Sequence, residues 1–381
     1  MLDRRQLLMR GAVGAGVLSL PGMVFAAADT ERRFVFIIQR GAADGLNIVM
    51  PTGDPAFAAA RGQLAVDGGT KLDAMFTLHP AMAETAKMFA AKQALFAHAV
   101  ASPYRDRSHF DAQNVLETGG TTAYQNKDGW LNRLVGLLPK AEGQAIALAA
   151  TIPAALRGRA EVASYAPSAL PQASDDLLAR VTALYQGDAQ LHGLWTSAMA
   201  TRMQTSDLTG GNGKDAAANG ALAARLLTGP GSARIAMIET GGWDTHSAQK
   251  GRLAGQLRGL DAMLAALKTG LGPAWDKTLV LVATEFGRTV AVNGTGGTDH
   301  GTGSAAMLLG DAVAGGRVVA DWPGLGAAVL YEGRDLKPTL GLDTLIASAL
   351  AQHYALDPVR VAGVLFPQSA PTRFGERLVR A

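Results

Sequence analysis

Asp244 and His246 stand two residues apart in Gly241-Gly242-Trp243-Asp244-Thr245-His246, directly after the apolar run at 234–239. A carboxylate and an imidazole just past a strand end suit a bound metal ion or a phosphate. Two further segments repeat the arrangement. Residues 34–38 (FVFII) lead into Arg40, Asp44 and Asn47, and residues 278–283 (TLVLVA) lead into Glu285, Arg288 and Thr289. Such runs read as buried parallel strands, and open α/β sheets bind ligands outside the carboxyl ends of their strands. Three strands ending this way bring Asp44, Asp244, His246, Glu285 and Arg288 to one edge. The glycine-rich loop carrying Thr298, Asp299, His300 and Gly301 folds back onto it.

Asp44, Asp244, His246 and His300, with Glu285 as a fifth, form an oxygen and nitrogen ligand set. A cation held by them lowers the pKa of a coordinated hydroxyl or water. Taken singly, each is equally a hydrogen-bonded structural group; their shared place after strands joins them. His109 and Asp111 are secondary candidates in the segment 102–113 (SPYRDRSHFDAQ), which turns helical from about His109. Ser108 then falls at the N-cap. A serine there has backbone N–H groups and the positive end of the helix dipole beside its hydroxyl, which suits a nucleophile attacking phosphorus or sulfur; an ordinary capping role fits the position too. His79 reads as a loop residue, and His98, His192 and His353 as packing or surface residues.

The elements that carry these groups alternate between strand and helix. Helices are expected at 81–91, about 215–227, 249–269 and 343–353, the last with Asp343 as a possible N-cap, and a short strand at 94–100. Leu253, Leu257, Leu260, Leu264 and Leu267 lie at helical spacing and read as core, with Gly270 as the stop signal. Leu116 and Trp130 are assigned to an irregular region. Residues 170–205 are helical in pattern, and an insertion of about 170–227 packs on the sheet. The expectation is one α/β domain over 27–381, with a mostly parallel central sheet between helices on both faces.

Composition narrows the function. The chain has no cysteine, which rules out disulfides and iron–sulfur clusters and restricts a metal site to His, carboxylate, hydroxyl and amide ligands. Arg4-Arg5, a weakly apolar stretch at 11–25 and small residues at 26–28 read as a twin-arginine export signal cleaved after Ala26 or Ala28. The stretch is shorter than the roughly 20 residues of a spanning helix, so no membrane span is expected after cleavage. Three arginines and one aspartate leave with residues 1–26, lowering the formal charge from +3 to +1. Neither that balance nor any basic run suggests nucleic acid as a partner. The 46 glycines exceed the usual roughly 7% share; many lie in the loops just named, where they serve either a close ligand or the loops themselves.

The stretches 40–47, 102–113, 241–246, 284–289 and 297–301 together resemble the domain of unknown function 1501 family of exported bacterial proteins, over nearly all of the mature chain. That family is similar to the alkaline phosphatase and sulfatase superfamily, which implies an alkaline phosphatase-like sheet with a metal-dependent site at its carboxyl edge. Carried over, the resemblance implies Asp44 as the first-strand metal ligand, Ser108 as nucleophile, Asp244 and His246 as the next ligand pair and His300 as the late histidine. The chain departs from the superfamily where Asp-x-x-x-His becomes Asp244-x-His246 and where Phe286, which cannot ligate, follows Glu285. These departures leave room for one ion, zinc or calcium, or for a degenerate site.

The expected function is a periplasmic or secreted hydrolase of phosphate or sulfate esters, small or polymeric, delivered by the twin-arginine machinery. Ser108 attacks, and the metal with Arg288 or Arg40 stabilises the developing charge. The alternative is a non-catalytic secreted protein that keeps the fold and binds a cell-surface polymer or a partner protein.

Overall fold

The computed structural model describes residues 31–139, 145–166, 175–188, 191–193, 195–196, 198–199, 215–229, 232–369 and 374–380. The export signal read at 1–26, with its cleavage site, lies outside them, as does much of the segment 170–214.

Nine strands form the large sheet: β1 (Arg33–Gln39), β2 (Ala94–Ala101), β3 (Ala145–Leu148), β4 (Ala163–Ser164), β5 (Ile235–Thr240), β6 (Thr278–Thr284), β7 (Ser304–Leu309), β8 (Arg317–Val319) and β9 (Leu340–Gly341). Their order is β8-β2-β7-β6-β1-β5-β3-β4, with β9 also on β2. β1 lies at the centre, parallel to β5 and β6, with Ile38 opposite both Glu239 and Ala283. Only β7 runs against its neighbours β2 and β6. The carboxyl ends of β1, β2, β5 and β6 and the amino end of β7 therefore share one edge, where the sequence places its ionisable residues.

β1 is buried along its whole length, and its side chains alternate between two cores, as the two-residue period of a strand requires. Phe34, Phe36 and Ile38 enter a core with Trp130, Leu134, Leu345 and Leu365. Val35 and Ile37 enter another with Leu226, Leu257 and Leu264. Each such side chain contributes roughly 1.5–3 kcal/mol. One face is covered by α2 (His109–Thr118), α3 (Trp130–Leu137), α6 (Leu342–His353) and α7 (Pro358–Leu365). The other is covered by α1 (Ala83–Ala90), α4 (Ala216–Thr228) and α5 (Gln249–Leu271). The sheet is thus mostly parallel with helices on both faces, and the helical insertion ends in α4, packed against α5.

The five leucines expected in the core lie in α5 and are all buried, as is Leu271. That helix runs to Leu271 and stops at Gly272, in the left-handed region at φ 51°, two residues past the expected Gly270. Its Asp261 is nearly buried and accepts from the Glu84 and Thr85 amides, capping α1, which has no side-chain cap of its own.

Three local expectations change. Leu116 lies inside α2, and Trp130 opens α3, its Nε1 donating to the Leu116 carbonyl. Gly129 caps α3 without a side chain, so no start signal marks it. α6 begins at Leu342, with Gly341 as the cap and Asp343 in the first turn.

Candidate metal centre

The loops at this edge pack on one another closely. A Cβ at Gly41 (φ 117°) would fall 2.6 Å from the Asp244 amide nitrogen, and one at Gly297 would fall 2.3 Å from the His246 carbonyl carbon. The glycines near the site thus serve the approach of loop to loop.

Where the loops meet, four side chains converge. Ligand atoms of His109, Asp244 and His300 all lie within 4.8 Å of one another. His246 joins them: its Nε2 is 3.0 Å from Asp244 Oδ1 and 3.0 Å from His300 Nε2. His300 Nε2 is 3.3 Å from Asp244 Oδ1, and His109 Nε2 is 3.6 Å from Asp244 Oδ2.

The far side of each imidazole meets an acceptor. His300 Nδ1 faces the Arg107 carbonyl at 3.0 Å, His109 Nδ1 faces Glu285 Oε1 at 2.8 Å, and His246 Nδ1 faces Asp299 Oδ1 at 3.2 Å. All three Nδ1 partners accept, while on the other side Asp244 Oδ1 lies beside the Nε2 atoms of His246 and His300, so each ring presents one nitrogen to the cluster and the other to an acceptor outside it. His109 Nε2 is buried with no hydrogen-bond partner. The Nε2 atoms of His246 and His300 stand 3.0 Å apart, with Asp244 Oδ1 within 3.3 Å of both. Two nitrogens bonded to one tetrahedral ion at about 2.0–2.1 Å stand about 3.3 Å apart, a little wider than this pair. Metal-binding histidines characteristically donate their other N–H to a carbonyl or carboxylate, and the Nδ1 of each of the three rings faces one.

Phe286 closes the group. Its ring stacks on His109 at 5.0 Å and lies 5.2 Å from His300, walling both imidazoles without ligating anything.

Charge at the site is tightly paired. Glu285 hydrogen-bonds His109 and holds its imidazole above the ordinary range, against the opposing effect of burial. Burial, then the proximity of His109, pushes His300 below that range. Burial opposes ionisation of Asp244 and of Glu285, but Arg288 and His109 respectively outweigh it and hold both below the usual carboxylate range.

Of the residues read as ligands, Asp244, His246 and His300 come together, and His109 joins them. Glu285 and Asp44 do not enter the cluster. Glu285 is buried behind His109, accepting from the Gly41 amide and from Gln113 as well. Asp44 is buried with both oxygens on Arg61, at 2.7 and 2.9 Å, and it also accepts from Gln249. Ser108 is half-buried at the N-cap of α2 with extended backbone, and its side chain makes no capping bond. The two arginines read as charge stabilisers are both engaged. Arg288 is buried and donates to Asp244 Oδ1 at 2.5 Å and to Thr298. Arg40 pairs with Glu117 at 2.8 Å and with Glu239. Asp111 faces Tyr104, at 3.5 Å from its hydroxyl.

Asp299, which orients His246, has a plain signal beside it in His300, the next residue. Glu285 is marked in the sequence by its place after β6, but its position behind His109 appears only in three dimensions, through a contact spanning 176 positions.

The sequence model of a family described as Protein of unknown function (DUF1501) matches residues 31–363. The chain belongs to the DUF1501 family. No curated protein matches it significantly. Among solved structures, this DUF1501 protein is similar to a putative sulfatase from Bacteroides thetaiotaomicron at 10% identity, covering 91% of this chain and 76% of that one with a TM-score of 0.42. It is similar to the C-terminal periplasmic domain of EcEptC from Escherichia coli, in complex with zinc, at 9% identity, 74% of each chain and a TM-score of 0.35. A phosphonate monoester hydrolase of Agrobacterium radiobacter follows at 9% identity, 76% and 70% coverage and a TM-score of 0.28. These are distant likenesses in fold.

Proposed function

We propose that this DUF1501 protein is an exported, metal-dependent hydrolase of phosphate or sulfate esters, built around one divalent ion held by His109, Asp244, His246 and His300. The observation that carries the reading is the convergence of ligand atoms: those of His109, Asp244 and His300 lie within 4.8 Å of one another, and His246 Nε2 lies 3.0 Å from both Asp244 and His300. Three imidazoles and one carboxylate suit zinc; calcium takes six to eight oxygen ligands. When bound, such an ion polarises an ester oxygen and makes a coordinated hydroxyl or water more acidic.

The chain's own groups divide the remaining work. Glu285, Asp299 and the Arg107 carbonyl hold the three rings from behind, with their Nε2 atoms inward. Ser108 precedes the ligand His109 and opens α2, where first-turn amides and the helix dipole favour an anionic oxygen; we assign it the nucleophile. Arg40 and Arg288, already paired with carboxylates, act as positioning residues, so charge stabilisation falls to the ion and the helix terminus. Residues 1–26 direct the chain through the twin-arginine pathway, and 27–381 form a single domain.

A second reading, a non-catalytic binder of a surface polymer or partner protein, is favoured by one observation. Arg40, Arg61 and Arg288 are each bound to a carboxylate, leaving none of the three for ester oxygens. The zinc-loaded protein and a folded Ser108→Ala variant, assayed on aryl phosphates and aryl sulfates, separate the two. The hydrolase reading predicts turnover that Ser108→Ala abolishes without loss of zinc. Absence of turnover on both ester classes, with zinc bound, supports the binder.

A further inference from the structure

Asp335 lies beneath the centre with a fully buried carboxylate, and both of its oxygens are engaged. Oδ2 accepts from Arg107 Nε at 2.8 Å, and Oδ1 accepts from Arg334 Nε at 2.9 Å. Each of those arginines reaches His300 by a different route. The Arg107 carbonyl lies 3.0 Å from His300 Nδ1, and Arg334 donates to the His300 carbonyl at 2.5 Å. The backbone of Asp335 also bridges to Thr289, while Arg288 bridges to His300, so 288–289, 299–300 and 334–335 are laced together.

Arg107 holds an unfavourable conformation. Its φ is 60°, in the left-handed region that a residue with a Cβ seldom occupies. Such geometry persists only where the surroundings over-determine it; the Arg107 side chain is held by the buried Asp335 and by Glu332, and lies over the Tyr331 ring. The turn has a use: it aims the Arg107 carbonyl at His300 while the chain continues directly into Ser108 and His109.

We propose that Asp335 is a positioning residue of the metal centre: through Arg107 and Arg334 it fixes His300 at both ends and sets the turn that delivers His109. The inference rests on the metal reading above. It explains why a buried carboxylate that touches no ligand is clamped by two arginines, one of them in a strained turn.

The test is zinc affinity by competition with a chromophoric chelator, together with the visible spectrum of the cobalt(II) form, on the full mature chain. Wild type is compared with Asp335→Asn, Arg107→Ala and the control Glu332→Gln, each checked for folding by circular dichroism. Glu332 also pairs with Arg107, but its side chain is about half exposed. Asp335→Asn and Arg107→Ala are expected to weaken zinc binding roughly 10- to 100-fold and to alter the cobalt spectrum, whereas Glu332→Gln stays within about twofold of wild type. If Asp335→Asn does not fold, Arg107→Ala carries the test alone. A folded Asp335→Asn or Arg107→Ala protein with wild-type affinity and spectrum overturns the inference while leaving the metal reading intact. A wild-type protein that binds neither ion overturns both.

Discussion

His109 Nδ1 lies 2.8 Å from the buried Oε1 of Glu285, while its Nε2 is left buried and unpartnered 3.6 Å from Asp244. The carboxylate thereby chooses the tautomer and aims the lone pair inward. Glu285→Gln keeps the shape but removes the charge that holds the Nδ1 proton. The expected result is a loss of zinc affinity of roughly 10- to 100-fold in a folded protein, read by chelator competition. Unchanged affinity would refute the orienting role.

Asp44 and Arg61 form a bidentate pair, 1% and 0% exposed. Arg61→Leu leaves the carboxylate buried without its guanidinium, an arrangement that costs about 3–5 kcal/mol. Urea denaturation should show that loss, with much of it recovered in Arg61→Leu/Asp44→Leu, where no charge is left stranded. A single variant within about 0.5 kcal/mol of wild type would contradict the pairing.

Acid sensitivity should trace to His98, which burial pushes to about 4. It sits in the core under Trp322 and Phe76, with Nε2 on the Val49 carbonyl. A folded pKa below the unfolded value of about 6.5 means that the unfolded chain binds more protons between the two. The neutral ring's contribution is complete above about pH 6.5 and is lost as pH falls toward 4, on the order of 3 kcal/mol in all. Denaturant midpoints measured across that window should fall more steeply in wild type than in His98→Asn. His79, lowered by burial to about 4 as well, adds to the slope in both proteins. Parallel slopes would exclude His98.

Much of the fold and part of the site are legible in the sequence, for physical reasons. β1 and β6 are continuous apolar runs because both faces of each are covered, and α5 announces itself by its leucine spacing. The shared edge follows from parallel pairing, which is why Asp244, His246 and His300 meet as read. α3 is missed because it is short and capped by a bare glycine. That Asp44 lies outside the cluster is not legible, because Arg61, which binds both of its oxygens, stands 17 positions away in a segment with no motif. Glu285 and His109 differ from the expected order of candidates for a similar reason. Local residue type marks both as able to ligate, and only the folded distance shows which faces the cluster and which stands behind it.

The central claim is that His109, Asp244, His246 and His300 together hold one ion. Its most direct test is elemental analysis of the exported mature protein by plasma mass spectrometry, beside a folded His109→Ala/Asp244→Ala variant. The account predicts close to one zinc per chain in the wild type, largely lost in the variant. Metal absent from the wild type even after incubation with zinc, or retained in full by the variant, would contradict it.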